Sequence, residues 1–164
     1  MATATDGATE EPEERGKYVC FYLHGQEFAA DIAQIKETMM VSPITRVFLT
    51  PPWLSGIINL RGDIVAVIDV ARFLGLPPIA VTDRSRIIVC RHRARVAGIV
   101  VDAMADLRTL MRGHIQPPPS TLNGDAAALL AGVVTLDNGV PLRVLDLGKL
   151  FESERLRAFQ REGS

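Results

Sequence analysis

Two cysteine–histidine pairs stand closest to chemistry in this chain, Cys20 with His24 and Cys90 with His92. Thiolate and imidazole are common zinc ligands. A tetrahedral site takes four ligands, or three and a water, and no second pair completes either one. The thiols are also badly placed as nucleophiles. Cys20 lies in Tyr18-Val-Cys-Phe-Tyr-Leu23 and Cys90 in Ile87-Ile-Val-Cys90, apolar strand-like runs in which a thiol stays protonated. His114 sits in a polar segment ahead of Pro117-Pro118-Pro119. Asp69 and Asp146 invite a paired-carboxylate reading. Each, however, stands where an apolar strand ends, in Val67-Ile-Asp-Val70 and Val144-Leu-Asp-Leu147, a place that suits a cap on the following turn. No G-x-x-x-x-G-K phosphate loop and no G-x-S-x-G elbow occurs. The residues predict no catalytic, metal or cofactor site, and no enzyme.

What remains suits contact. On the strand that ends before Gly62, Ile58 and Leu60 point to one face, and Ile57, Asn59 and Arg61 to the other. That second face mixes apolar, amide and guanidinium groups, as a partner surface does. An exposed arginine beside a turn would look the same. Arg84, Arg86, Arg91, Arg93 and Arg95 form a basic cluster that offers an alternative, a nucleic-acid face. Against it, aromatic residues are 5% of the chain, too few for stacking platforms, and 18 Lys+Arg against 19 Asp+Glu leave a charge of −1. Arg61-Gly62-Asp63 spells a cell-adhesion tripeptide, but no export signal precedes it and it reads as a turn.

The elements that must position these residues are short strands. The chain's 164 residues suffice for one domain or two lobes with a shared core. Residues 1–16 are rich in Ala, Thr and Glu and predict a disordered acidic tail, with order from Lys17. A hairpin turns at His24-Gly25, and Asp31 to Glu37 carries helical spacing with Asp31 as N-cap. Ile44 to Leu49 is a further strand candidate. Gly56 to Val70 then reads as strand, two-residue turn at Gly62-Asp63, and a strand apolar on both faces, hence central.

The arrangement returns in the second half. Ile87 to Val101 forms another opening hairpin, Asp102 to Leu110 carries a short helix, and Gly132 to Leu147 restates Gly56 to Val70 around the turn Asp137-Asn138-Gly139. Two similar β units packed side by side follow, about 18–78 and 86–151, with exchange of strands between them allowed. Short strands in units of this size favour small barrels over open sheets. Glu152 to Arg161 closes the chain as an amphipathic helix, with Leu156 and Phe159 on one face, in the C-terminal stretch 152–164. Neither a signal core nor an apolar run of membrane length is present, which predicts a cytoplasmic protein.

The run Gly56-Ile-Ile-Asn-Leu-Arg-Gly-Asp-Ile-Val-Ala-Val-Ile-Asp-Val70, continued by Phe73-Leu-Gly-Leu76, resembles the CheW family of bacterial chemotaxis coupling proteins. The likeness extends from Tyr18 to about Phe151. It takes in Asp31-Ile-Ala-Gln-Ile-Lys-Glu37, Ile44-Thr-Arg-Val47 with Thr50-Pro51, and Val96-Ala-Gly-Ile-Val-Val-Asp102. The resemblance implies an all-β fold of two SH3-like five-stranded barrels packed side by side, with short helices and a C-terminal helix. It implies a non-catalytic adaptor joining the helical cytoplasmic tip of a chemoreceptor to the regulatory domain of a histidine kinase, without a cofactor, and reaching the membrane only through receptors. Residues tied to coupling in the family carry over as Ile35, Glu37, Gly56 and Arg61, within the motif Asn59-Leu60-Arg61-Gly62. Val100, Val101 and Met104 match the apolar receptor groove at the junction of the barrels. The basic turn Arg91 to Arg95 and the pair Met39-Met40 depart from the family pattern.

Overall fold

Both faces of the central strands are apolar, and both are buried. In β1 (Arg15–Leu23), Tyr18 and Cys20 face one way and Phe21 and Leu23 the other, and all four are sealed from solvent. In β6 (Arg86–His92), Ile87 and Val89 oppose Ile88 and Cys90 in the same manner. A strand of this kind must lie between two apolar layers. The computed structural model, which describes residues 14–118, 128–153 and 155–158, supplies those layers as three clusters. One fills each of two curled sheets. The third, holding Phe21, Leu23, Ile88, Cys90 and Phe151, lies between them.

The remaining strands are β2 (Gln26–Asp31), β3 (Ile35–Met40), β4 (Leu54–Leu60), β5 (Asp63–Asp69), β7 (Arg95–Val101), β8 (Ala103–Met104), β9 (Arg108–Met111), β10 (Leu130–Thr135) and β11 (Pro141–Leu145). The first sheet runs β9-β1-β2-β11-β10, with β8 also on β1; the second runs β3-β6-β7-β5-β4. Neighbours are antiparallel except β2 with β11 and β5 with β7. The opening hairpin of the first half therefore joins the closing hairpin of the second half, and the reverse. Each lobe draws from both halves of the chain, so the lobes interleave in sequence instead of following 18–78 and 86–151.

The internal repeat extends to how each sheet curls shut. Thr45 exchanges two backbone hydrogen bonds with Ile57, each 2.9 Å, and Gln116 does the same with Val133 at 2.9 and 2.8 Å. Beside each bridge a glycine sits at a register shift. A Cβ on Gly56 would stand 2.3 Å from the Thr45 carbonyl oxygen, and one on Gly132 would stand 2.1 Å from that of Gln116.

Helices α1 (Val70–Phe73) and α2 (Leu147–Glu152) follow β5 and β11. Asp69 caps the first, accepting from Arg72 N at 3.1 Å. Asp146 caps the second, accepting from Gly148 N at 3.0 Å.

Several local expectations are corrected. Helical geometry after Asp31 stops after one 3-10 turn, Ile32–Gln34, because Ile35 onward pairs with β6. Within 44–49 only Thr45 pairs, since the chain then turns away through Leu49 at φ 59°. Segment 102–110 forms β8 and β9 along β1 and has no helix, because β1 offers it an edge. The β4–β5 turn is Arg61-Gly62, as Leu60 pairs with Asp63. Ordered strand begins at Arg15, two residues before Lys17, because Arg15 and Gly16 pair with β9. A separate helix, Leu147–Glu152, capped by Asp146, ends at an extended Ser153, and within the expected Glu152 to Arg161 helix residues 155–158 are helical. The expected tail up to residue 13, Pro119 and Phe159 lie outside the described residues.

Candidate partner-binding site

A two-residue hairpin turn of type I′, which matches the right-handed twist of its strands, needs positive φ at both turn positions. Arg61 has φ 50° and Gly62 φ 93°. Asn59 holds the turn, its Oδ1 accepting from Gly62 N at 2.9 Å. The turn thus projects the Arg61 side chain beyond the end of β4, where its guanidinium pairs with the Glu37 carboxylate. Glu37 lies on β3, which bulges between Ile35 and Glu37. Since β3 and β4 are the two outer strands of their sheet, the ion pair clasps the seam that the Thr45–Ile57 bridge closes further along. The Arg61 side chain remains 67% exposed, against 26% for Glu37. A guanidinium carries five donors in a rigid fork and one carboxylate leaves some unused, so Arg61 is held in place and still open to an acceptor on a partner.

The structure thus brings Glu37, Asn59, Arg61 and Gly62 together. Ile58 and Leu60 are buried and Asn59 is exposed, the alternation the sequence indicates. Ile35 and Met104 are half-buried against the core between the lobes. Gly56 is buried beneath the Thr45 carbonyl and touches no surface. Val100 and Val101 are 2% and 0% exposed, one inside a barrel and one in the central core, so neither presents a side chain to a groove. β7 is an inner strand with both faces covered, so the two valines that the resemblance matched to the receptor groove are apolar but not accessible in the fold.

Sequence reasoning missed two exposed apolar features. Ile64, paired with Asn59 across the hairpin, is 65% exposed. Phe48 and Leu49 are 95% and 103% exposed at the tip of the 46–50 loop. The signal was an apolar pair just before Thr50-Pro51-Pro52, which also fits a strand end.

The groups that suggested chemistry have structural partners. His24 Nε2 donates to the Pro77 carbonyl at 2.6 Å, and His92 Nε2 donates to Glu152 at 2.9 Å while its ring stacks on Phe151. Burial pushes the Cys90 thiol up to about 12. Cys20 is also pushed to about 12, by burial first and the Glu27 carboxylate second. Glu27 pairs with Arg108 at 2.8 Å. Among the described residues no group of three His, Cys, Asp or Glu side chains could hold a metal. Two members of the arginine cluster are engaged locally. Arg86 donates to the Asp83 and Ser85 carbonyls, and Arg95 pairs with Glu152 at 3.3 Å.

The family model described as a CheW-like domain matches residues 17–155, nearly all of this double-barrel unit. The chain belongs to the CheW-like family. It is 31% identical over 140 residues to the probable chemotaxis protein CheW of Rhizobium etli, covering 85% of this chain and 90% of the relative. It is 30% identical over 138 residues to the chemotaxis protein CheW of Bacillus subtilis, covering 84% and 88%. Protein FrzA of Myxococcus xanthus is 31% identical over 156 residues, covering 94% and 95%. Among solved structures, the scaffolding protein TtCheW from Thermoanaerobacter tengcongensis superimposes with a TM-score of 0.76 at 31% identity, covering 85% of this chain and 94% of that one. Membership in the CheW-like family makes the chain a chemotaxis-type adaptor. Among its described residues no helix is long and apolar enough to cross a membrane.

Proposed function

We propose that this protein is a non-catalytic, cytoplasmic adaptor that couples chemoreceptors to a histidine kinase, working by contact free energy alone. Arg61 carries the reading. It is fixed in a strained turn, clasped by Glu37 across a barrel seam, and left two-thirds exposed, an arrangement that serves a partner better than it serves the fold. Ile35, Glu37 and Met104 contribute the surface around the seam and the lobe junction. Gly56 acts indirectly, through the seam geometry. A receptor that changes state shifts the kinase only if the adaptor binds the two states unequally, so each contact is reversible and the array supplies avidity.

Co-sedimentation with receptor-bearing membranes, with and without the kinase, tests both grips. The chain is expected in the pellet with receptors, and the kinase is expected there only when the chain is present. Arg61→Ala removes charge-assisted hydrogen bonds at a desolvated contact and is expected to cost about 2–5 kcal/mol of binding. Its exposed pair with Glu37 is worth at most about 1 kcal/mol to the fold. Unchanged affinity for both partners, with an intact circular dichroism spectrum, removes Arg61 from the site.

A further inference from the structure

We infer that the 46–50 loop is an apolar anchor for an amphipathic helix of the partner, on a face that continues from the Arg61 seam. This rests on the adaptor reading, in which the receptor is the helical partner, and it names residues that reading does not use. Leu49 holds φ 59°, a left-handed conformation unfavourable for a bulky residue, and exposes its whole side chain beside an almost bare Phe48. Thr50 Oγ1 pins the loop by donating to the Val47 carbonyl at 2.8 Å. Two apolar side chains pushed into water on a strained, pinned loop gain nothing for the isolated fold.

Behind the loop lies a cleft of about 750 Å³ with Ile57, Ala66 and Leu54 on its floor. Ile57 and Ala66 are cross-strand partners on the outer face of the β4–β5 hairpin, and the next pair on that face is Asn59 with Ile64, beside Arg61. The face, apolar except for the Asn59 amide, therefore runs from the cleft to the Arg61 turn. From Ile57 to Arg61 it covers about 14 Å, two to three turns of helix. An added strand is unsuited here, because Thr45 already occupies both backbone groups of Ile57. A side-chain floor walled by a loop takes a helix laid across it. Among the described residues no carboxylate lines the cleft, and exposed Arg46 and Arg61 flank the face. The helix that fits carries an apolar stripe with acidic residues toward its ends.

The test titrates full-length chain against a helical chemoreceptor cytoplasmic fragment and, separately, against the kinase regulatory domain. Phe48→Ala and Leu49→Gly are each expected to weaken receptor binding about 30-fold, the lower edge of an interface hot spot, while kinase binding changes less than about twofold. Leu49→Gly also separates contact from folding. Glycine accepts positive φ, so its melting temperature is expected to stay or rise by about 2–4 °C while receptor affinity falls. A double variant that binds the receptor fragment as tightly as wild type overturns the inference and leaves the adaptor reading standing. Loss of kinase binding alone also overturns it. A wild-type chain that binds neither fragment overturns the adaptor reading and this inference with it.

Discussion

Arg61 and Cys90 show how one residue type can be assigned a role only once its surroundings are known. An arginine beside a turn is ordinary. This one sits at φ 50° with its guanidinium clasped to Glu37, and is exposed on its remaining side. Cys90 is the opposite case, a potentially reactive group made inert by position. The thiolate is the reactive form, and burial raises Cys90 to about 12, so at neutral pH the thiol is protonated and unreachable. Labelling with a maleimide at pH 7.5 is therefore expected to be slow for native chain and complete once denaturant unfolds it. Rapid stoichiometric labelling of native protein would contradict the buried placement. The sign of the pH effect follows. A thiol whose folded value is raised keeps its full contribution below the unfolded value near 9, and loses it as pH climbs from 9 toward 12.

Among elements, the seams matter more than the strands they join. Gly56 and Gly132 occupy equivalent bulges, each under the carbonyl of the segment that closes its barrel. A methyl group at either position meets backbone that cannot swing aside, so the seam must open. Gly56→Ala and Gly132→Ala are both expected to destabilise by about 2–4 kcal/mol, read as matching falls in the denaturant midpoint. If Gly56 instead acted as a direct contact residue, Gly56→Ala would weaken partner binding at unchanged stability. Strands, hairpins and the repeat were legible in the sequence because periodicity and turn chemistry are local. The two capping aspartates were legible too, since each marks the end of an apolar strand. Four local features were not. Asp31 to Glu37 has helical spacing, but from Ile35 onward pairing with β6 overrides it. Asp102 to Leu110 likewise becomes strand along β1. The exposure of Phe48 and Leu49 depends on how the loop leaves the sheet, and the burial of Val100 and Val101 on which strands flank β7. Neither is a property of composition.

At the scale of the molecule, two histidine-tipped hairpins hold one lobe to the other. His24, on the first sheet, reaches Pro77 after α1; His92, on the second sheet, reaches Glu152 at the end of α2. The second latch is charged. The His92 hydrogen bond, then Arg95 and Arg157, hold the Glu152 carboxyl below its usual range. A depressed carboxylate adds stability above its unfolded value, which is lost as pH falls through the folded one. Glu152→Gln is thus expected to lower the melting temperature at pH 7, with the gap from wild type closing below about pH 4. A gap that persisted at pH 3 would point to packing instead of charge. The latches frame a core contributed by both sheets, and each sheet contains strands from both halves of the chain, so neither lobe can close without the other half. Trp53 reports on this core directly. It is 4% exposed, edge-on to Phe73 at 5.2 Å, with the Arg155 guanidinium 5.9 Å from its ring. If the lobes fold as one unit, Trp53 fluorescence and far-ultraviolet circular dichroism are expected to give superimposable denaturation curves. A fluorescence transition that preceded loss of sheet signal would mean that the barrels survive after the core between them has opened, and that the adaptor can flex at that joint.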